Sequence, residues 1–319
     1  MKLKHTSIKR FAFKEITLIL FVFVFAPAFI FSLTAQQIGA LRTITILTEP
    51  QSVVWIDDVK YGKTDESGKL TIKTVSAGKH TIRVRADGFK ETTQNLLPAQ
   101  KGDVKITLAK TNDAAELAFQ EAERTLVLDR EKAAELYRQA IKARPKYPEA
   151  YLALARVLSD SQNLEEALDA VKQARKQRLN YAEASAVEGR IYKELGNEEK
   201  AVAAFKRAVT EGKGFQPEAL TGLGLLYKEK AEASAGDLAE EEANYSEAVG
   251  YLQKGIKQLS GAPDAEVLLQ LTGLVYEKMK KYDEAVKIYE EFLRIFPDSN
   301  EASAVRSFIV QIKKQQGKP

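Results

Sequence analysis

Cysteine is absent from the 319 residues, and histidine is confined to His5 and His80. Disulfides, thiolate metal sites, a thiol nucleophile and lipid attachment through cysteine are therefore excluded. Triad chemistry or a histidine-based metal site would have to rest on His80, a lone residue without partners, for which a structural role is expected. A P-loop, a HExxH pair and a GxSxG turn are missing too. Nothing in the sequence calls for a cofactor or a metal, and no enzyme is expected. Net positive charge is also lacking once the first 35 residues are set aside. These hold Lys2, Lys4, Lys9, Arg10 and Lys14 against Glu15, and without them 43 basic and 43 acidic residues remain. A nucleic-acid binder keeps excess positive charge on its folded domain, because phosphate neutralisation supplies most of its affinity. Nucleic acid is not an expected partner.

Long apolar stretches are scarce, with one exception. Ile16–Leu33 is an apolar run of 18 residues behind a basic flank, and Leu33-Thr34-Ala35 ends it in a small residue before Gln36. Basic flank, apolar run and small-residue end form the secretory pattern. The run also just reaches the length that spans a bilayer. Residues 1–35 therefore read as a signal peptide, or as an inner-membrane anchor through residues 16–33 if uncleaved. Either way the basic flank stays cytoplasmic and the remainder crosses. The expected location is the periplasm or outer cell envelope.

From Arg42 the pattern becomes short and alternating, with strands expected at Thr43–Leu47, Val53–Ile56, Leu70–Ile72, Thr81–Val84 and Val104–Leu108. Glu49-Pro50, Asp57-Asp58, Ser67-Gly68, Ala77-Gly78 and Asp87-Gly88 punctuate them. This predicts a small antiparallel β-sandwich over 42–109. Trp55 lies within an apolar strand and is expected in its core rather than as an exposed sugar-stacking platform. The stretch from Glu49-Pro50 through Val54-Trp55-Ile56-Asp57, Gly62-Lys63-Thr64 and Ala77–Val84 to Gly88-Phe89 resembles the PEGA domain of bacterial envelope proteins. Gln51-Ser52 and Asp65 depart from that family's pattern. A carboxypeptidase-regulatory-like sandwich accounts for Asp65-Glu66-Ser67-Gly68 equally well. Neither resemblance implies catalytic residues, and the PEGA family has a strand-starting histidine where His80 stands.

The strongest signal is periodic. Ala133, Ala167, Ala201, Ala248 and Ala285 follow one another at 34, 34, 47 and 37 residues. Four residues after each comes Tyr137, Val171, Phe205, Leu252 or Tyr289, and three further on Ala140, Ala174, Ala208, Gly255 or Phe292. That spacing puts each trio on one helix face. A second set precedes the last four trios, with a small residue at Ala155, Gly189, Gly224 or Gly273. Two amphipathic helices per 34 residues, meeting at small residues, resemble the tetratricopeptide repeat (TPR). The predicted fold is thus multidomain α+β: the β-sandwich, then an all-α solenoid of about five repeats over 114–298, closed by a capping helix at 300–316. Twelve extra residues near 231–244 fall between the two helices of the fourth repeat. They are expected to lengthen both helices into an arm hinged near Gly236-Asp237. The acidic residues there lack calcium-loop spacing and read as a solvated face.

The TPR resemblance implies a non-enzymatic scaffold or adaptor that holds other envelope proteins in a concave groove. The residue after each small packing residue, and one turn beyond it, should face that groove. These are Arg156 and Ser159, Arg190 and Lys193, Leu225 and Lys228, and Leu274 and Glu277. The basic members, Arg156, Arg190, Lys193 and Lys228, are the candidate peptide-binding residues, suited to an acidic segment or chain terminus. The groove asparagine of carboxylate-clamping TPR domains is missing. The alternative reading is a cell-wall or carbohydrate-binding surface protein with the β domain as its binding module.

Overall fold

The computed structural model describes residues 41–259 and 261–317. The expected signal or anchor segment lies outside the described residues. Seven strands come first: β1 (Arg42–Leu47), β2 (Val53–Ile56), β3 (Val59–Lys63), β4 (Lys69–Val75), β5 (His80–Arg85), β6 (Thr92–Leu96) and β7 (Gly102–Lys105). They form two sheets, ordered β4-β1-β7 and β3-β2-β5-β6. Alternation turns Ile44, Ile46, Val54, Ile56, Ile72, Ile82, Val84, Leu96 and Val104 inward, where they share one core between the sheets.

Three features depart from the sequence reading. The pairing is antiparallel except between β1 and β7, which run parallel from Ile44 opposite Gly102 to Leu47 opposite Lys105. Strands β3 and β6 were not expected, because VKYGK and TTQNL carry too few apolar residues to show a buried face. Trp55 is not in the core. The inward positions of β2 are Val54 and Ile56, so a period of two sends Trp55 to the outer face of its sheet. There it lies half-buried beneath Arg83, whose guanidinium stands 4.2 Å from the ring centroid.

The β2–β3 connection is a two-residue turn, since Ile56 pairs with Val59. Asp57 and Asp58 have φ of 48° and 65°, the positive pair that such a hairpin turn requires and that Asp tolerates. Asp57 also locks the turn to β5. Its carboxylate accepts from the Thr81 amide at 2.8 Å and lies 2.5 Å from His80 Nδ1. His80 Nε2 lies 3.0 Å from the Ser76 carbonyl, so this histidine ties β2 to β5.

Eleven helices follow among the described residues. They are α1 (Ala114–Thr125), α2 (Arg130–Ala143), α3 (Pro148–Asp160), α4 (Leu164–Gln177), α5 (Ala182–Glu194) and α6 (Glu198–Glu211). Then come α7 (Pro217–Ala233), α8 (Leu238–Leu259), α9 (Ala265–Lys278), α10 (Tyr282–Ile295) and α11 (Ala302–Gln315). Asp113 and Asp129 cap α1 and α2 through their side chains, and Pro148 and Pro217 open α3 and α7. The five anchor alanines fall on α2, α4, α6, α8 and α10 and are wholly buried. Helix pairs close tightly at the small residues. The Phe205 ring of α6 fits between Gly189 of α5 and Gly222 of α7, where an added Cβ would approach it to 2.6 and 2.3 Å. The insertion lengthens α7 to 17 residues and α8 to 22, with Gly236 at φ 114° in the turn between them. No helix among the described residues is long and apolar enough to cross a membrane.

Candidate functional site: the concave groove and the hairpin that crosses it

The leading helices α3, α5, α7 and α9 carry the positions expected to face the groove. Arg156, Arg190, Lys193 and Leu225 line one cavity of about 710 Å³. Ser159 is instead buried and donates to Glu194 at 3.1 Å. Glu277 accepts from the Tyr289 hydroxyl at 2.6 Å, and Leu274 stays exposed. Lys228 does not line the cavity and forms an ion pair with Glu232 along its own helix at 2.8 Å.

Acidic side chains from neighbouring helices interleave with these cations. Arg156 meets Glu218 through two parallel hydrogen bonds, Nη1 to Oε1 at 2.8 Å and Nη2 to Oε2 at 2.5 Å. Burial works against the Glu218 carboxylate, but the charge and hydrogen bonds of Arg156 outweigh it and hold that carboxyl below its ordinary range. Lys193 pairs with the largely exposed Glu229 at 2.8 Å. Arg190 is engaged differently. Its nearest carboxylate oxygen, on Asp160, is 3.3 Å from Nη2, and its buried Nε and Nη2 donate no hydrogen bond among the described residues. A neutral overall charge thus arises from paired carboxylates that a tally of groove positions alone does not reveal.

The remaining cavity wall comes from the β-sandwich, through Asp58, Val59 and Lys60 at the β2–β3 hairpin tip. Val59 is buried in one apolar cluster with Leu259, Ala262, Ala265 and Leu268, at the α8–α9 corner. Beside it Thr74 Oγ1 donates to the Gly261 carbonyl at 3.2 Å, and the Tyr61 hydroxyl lies 3.4 Å from the Leu259 carbonyl. Burial, with Asp57 nearby, pushes the Tyr61 phenol up to about 12. Asp58 also faces Glu183 of α5. Burial, reinforced by that like charge, raises the Glu183 carboxyl above its ordinary value.

The other end of the sandwich is bound to α1. Gln120 is buried, accepts from the Gly88 amide and donates to the Phe89 carbonyl, each at 2.8 Å. Glu116 accepts from the Glu91 amide at 3.0 Å. Arg85 pairs with Glu91 at 2.5 Å and with Glu123 at 2.6 Å, and its guanidinium lies over the rings of Phe119 and Trp55. Trp55 therefore belongs to the junction with the first repeat. The β-sandwich spans from the first repeat to the corner between the fourth and fifth. No sequence signal announced this, since the partners lie as many as 198 residues apart.

The architecture defines the class: a helical-repeat solenoid preceded by a small β module. The chain carries a PEGA domain at residues 41–112 and tetratricopeptide repeats, matched at 129–191, 182–211 and 268–299. The first two repeat matches overlap by ten residues at 182–191, as consecutive windows on one array. Among solved structures, yeast Tom70 aligns with 64% of this chain and 41% of its own, at 16% identity and a TM-score of 0.52, which supports the helical-repeat fold. A thermophilic TPR protein of Thermus thermophilus aligns with 62% of this chain and all of its own, at 18% identity and a TM-score of 0.48. MamA aligns with 60% of this chain and 96% of its own, at 21% identity and a TM-score of 0.42. No curated protein matches the sequence.

Proposed function

We propose that the chain is a non-enzymatic adaptor of the bacterial cell envelope, exported by its N-terminal segment and holding partner proteins in the TPR groove. The repeats support protein binding in general. The observation that carries the finer reading is the cavity on the concave side, to which Arg156, Arg190 and Lys193 all contribute. Within it an acidic partner segment has two accessible cations. Arg156 stays with Glu218, because two parallel hydrogen bonds already match its charge and a ligand carboxylate would have to replace both. Lys193 can exchange Glu229 for a ligand carboxylate at little cost, since exposed ion pairs contribute only about 0–1 kcal/mol. Arg190 can likewise exchange its 3.3 Å ion pair with the exposed Asp160, and Lys228 adds a more distant positive charge.

The test is cross-linking of the tagged chain in intact cells with a reagent that cannot cross the inner membrane, followed by affinity measurement on the partner recovered. The expected result is a discrete adduct with wild type, and a loss of at least about tenfold in affinity for the Arg190→Ala, Lys193→Ala double variant, with a weaker salt dependence. Adducts formed only with a membrane-permeant reagent would sink the envelope location. Unchanged affinity in a folded double variant would remove the groove from the reading.

A further inference from the structure

The groove is not an open trough. The hairpin tip at Asp57-Asp58 reaches across it and is held by Val59, yet the cavity of about 710 Å³ remains beside the tip. That lies within the ~300–1,000 Å³ typical of ligand pockets. Its walls are of two kinds. Phe215, Leu225, Val267 and Leu268 give an apolar side, on which Phe215 and Val267 are 38% and 65% exposed. On the charged side most groups are engaged: Arg156 with Glu218, Glu194 with Ser159, and Asp58 with Arg83 at 3.3 Å. Arg190 pairs with Asp160 at 3.3 Å, an ion pair without a well-aligned hydrogen bond.

The geometry points to a composite binding site, built jointly by the β2–β3 hairpin and the solenoid, for a short peptide segment that presents a carboxylate beside an apolar side chain. This deepens the groove reading and rests on it. Arg190 takes the carboxylate in place of Asp160, its guanidinium turning from that residue toward the cavity. Phe215, Leu225 and Val267 take the apolar neighbour. Asp58 puts a fixed negative charge on the facing wall, so the β domain tempers affinity for acidic segments and acts as a specificity element. The carboxylate can belong to an Asp or Glu side chain or to a chain terminus, since both present the same two oxygens.

The experiment uses the chain from Leu41 to Pro319 and fluorescence anisotropy. The probes are labelled octapeptides, each with one Asp or Glu next to Leu, Val or Phe, made with free and with amidated C-termini. At least one should bind saturably, and the peptide that lacks the carboxylate it uses, through Asn or Gln at the side chain or an amide at the terminus, at least about tenfold more weakly. If amidation abolishes binding, the ligand carboxylate is the terminus; if it does not, it is the side chain. Arg190→Gln should weaken the acidic peptide about tenfold and leave the neutral one unchanged. Asp58→Asn keeps the turn, because Asn accepts positive φ, and removes the charge and its ion pair to Arg83, which keeps Glu91. It should tighten the acidic peptide about two- to fivefold and leave the neutral one unchanged. If Arg190→Gln acts and Asp58→Asn does not, the hairpin is no part of the site; the composite proposal is overturned and the groove reading stands. If no peptide binds saturably, the composite site is overturned as well, and the cross-linking experiment alone decides the groove reading.

Discussion

Glu183 and Glu218 line the same cavity and respond to pH in opposite senses. The Glu183 carboxyl is raised from 4.5 by burial and by Asp58. A carboxyl that holds its proton more tightly when folded makes stability fall as pH rises from its unfolded value through its folded one. The Glu218 carboxyl is lowered by Arg156, so its contribution is present above about 4.5 and is lost as pH falls through its folded value. Glu183→Gln removes the first effect and leaves the second. In urea unfolding, this variant should be more stable than wild type at pH 7 and about equal to it at pH 4, where wild-type Glu183 is largely protonated in both states. Equal differences at both pH values would show that burial and the approach of Asp58 together leave this carboxyl unshifted.

At the scale of the element, helix pairing depends on glycines that leave room for a partner's side chain. A Cβ at Gly189 would meet Phe205 at 2.6 Å, and one at Gly224 would meet Leu252 at 2.6 Å. Gly189→Leu and Gly224→Leu should each cost about 1–3 kcal/mol by overpacking, read as lower urea midpoints. Gly250 is the control. It lies on α8, a Cβ there meets nothing within 4 Å, and Gly250→Ala should be stabilising by up to about 1 kcal/mol through helix propensity. These positions were legible beforehand, because a small residue precedes the anchor alanine by 12 residues in three repeats and by 24 in the fourth, where the insertion falls. Strands β3 and β6 were not. Their stability comes from pairing with β2 and β5, and polar edge strands leave no alternation to read. Trp55 misled for a related reason: a continuous apolar strand does not say which of its two faces is inward, and here the outer-face ring lies under Arg83 and Arg85.

For the whole molecule, the consequence is that the solenoid is not a stack in which each repeat touches only its neighbours. The β-sandwich joins α1 to the α8–α9 corner, with Gln120, Glu116 and Arg85 at one end and Val59 and Thr74 at the other. Residues 111–319 alone should keep a helical spectrum, because the repeats between those ends have their own cores. Hydrogen exchange should then accelerate in α1 and around 259–265, while α3–α6 keep their protection. Uniform protection throughout would mean that the docking contacts add nothing to the stability of the repeats.

Sequence by itself determined the repeat register, the small-residue contacts, the lengthening near Gly236 and the inward face of most strands. Each of these follows from a local period, 2 in a strand or 3.6 in a helix, and a local period is written in consecutive residues. It also proposed Arg156, Arg190, Lys193 and Lys228 as a set from position within a repeat, and of these the first three line one cavity while Lys228 does not. What each cation faces was decided by tertiary structure alone. Glu218 stands 62 residues from Arg156 and Asp160 stands 30 from Arg190, separations over which sequence carries no pairing rule. The same holds for the hairpin across the groove. Val59 falls in no strand that the sequence predicts, and only the packing of the α8–α9 corner against it gives it a buried place, a contact between segments too far apart in the chain for any local period to record.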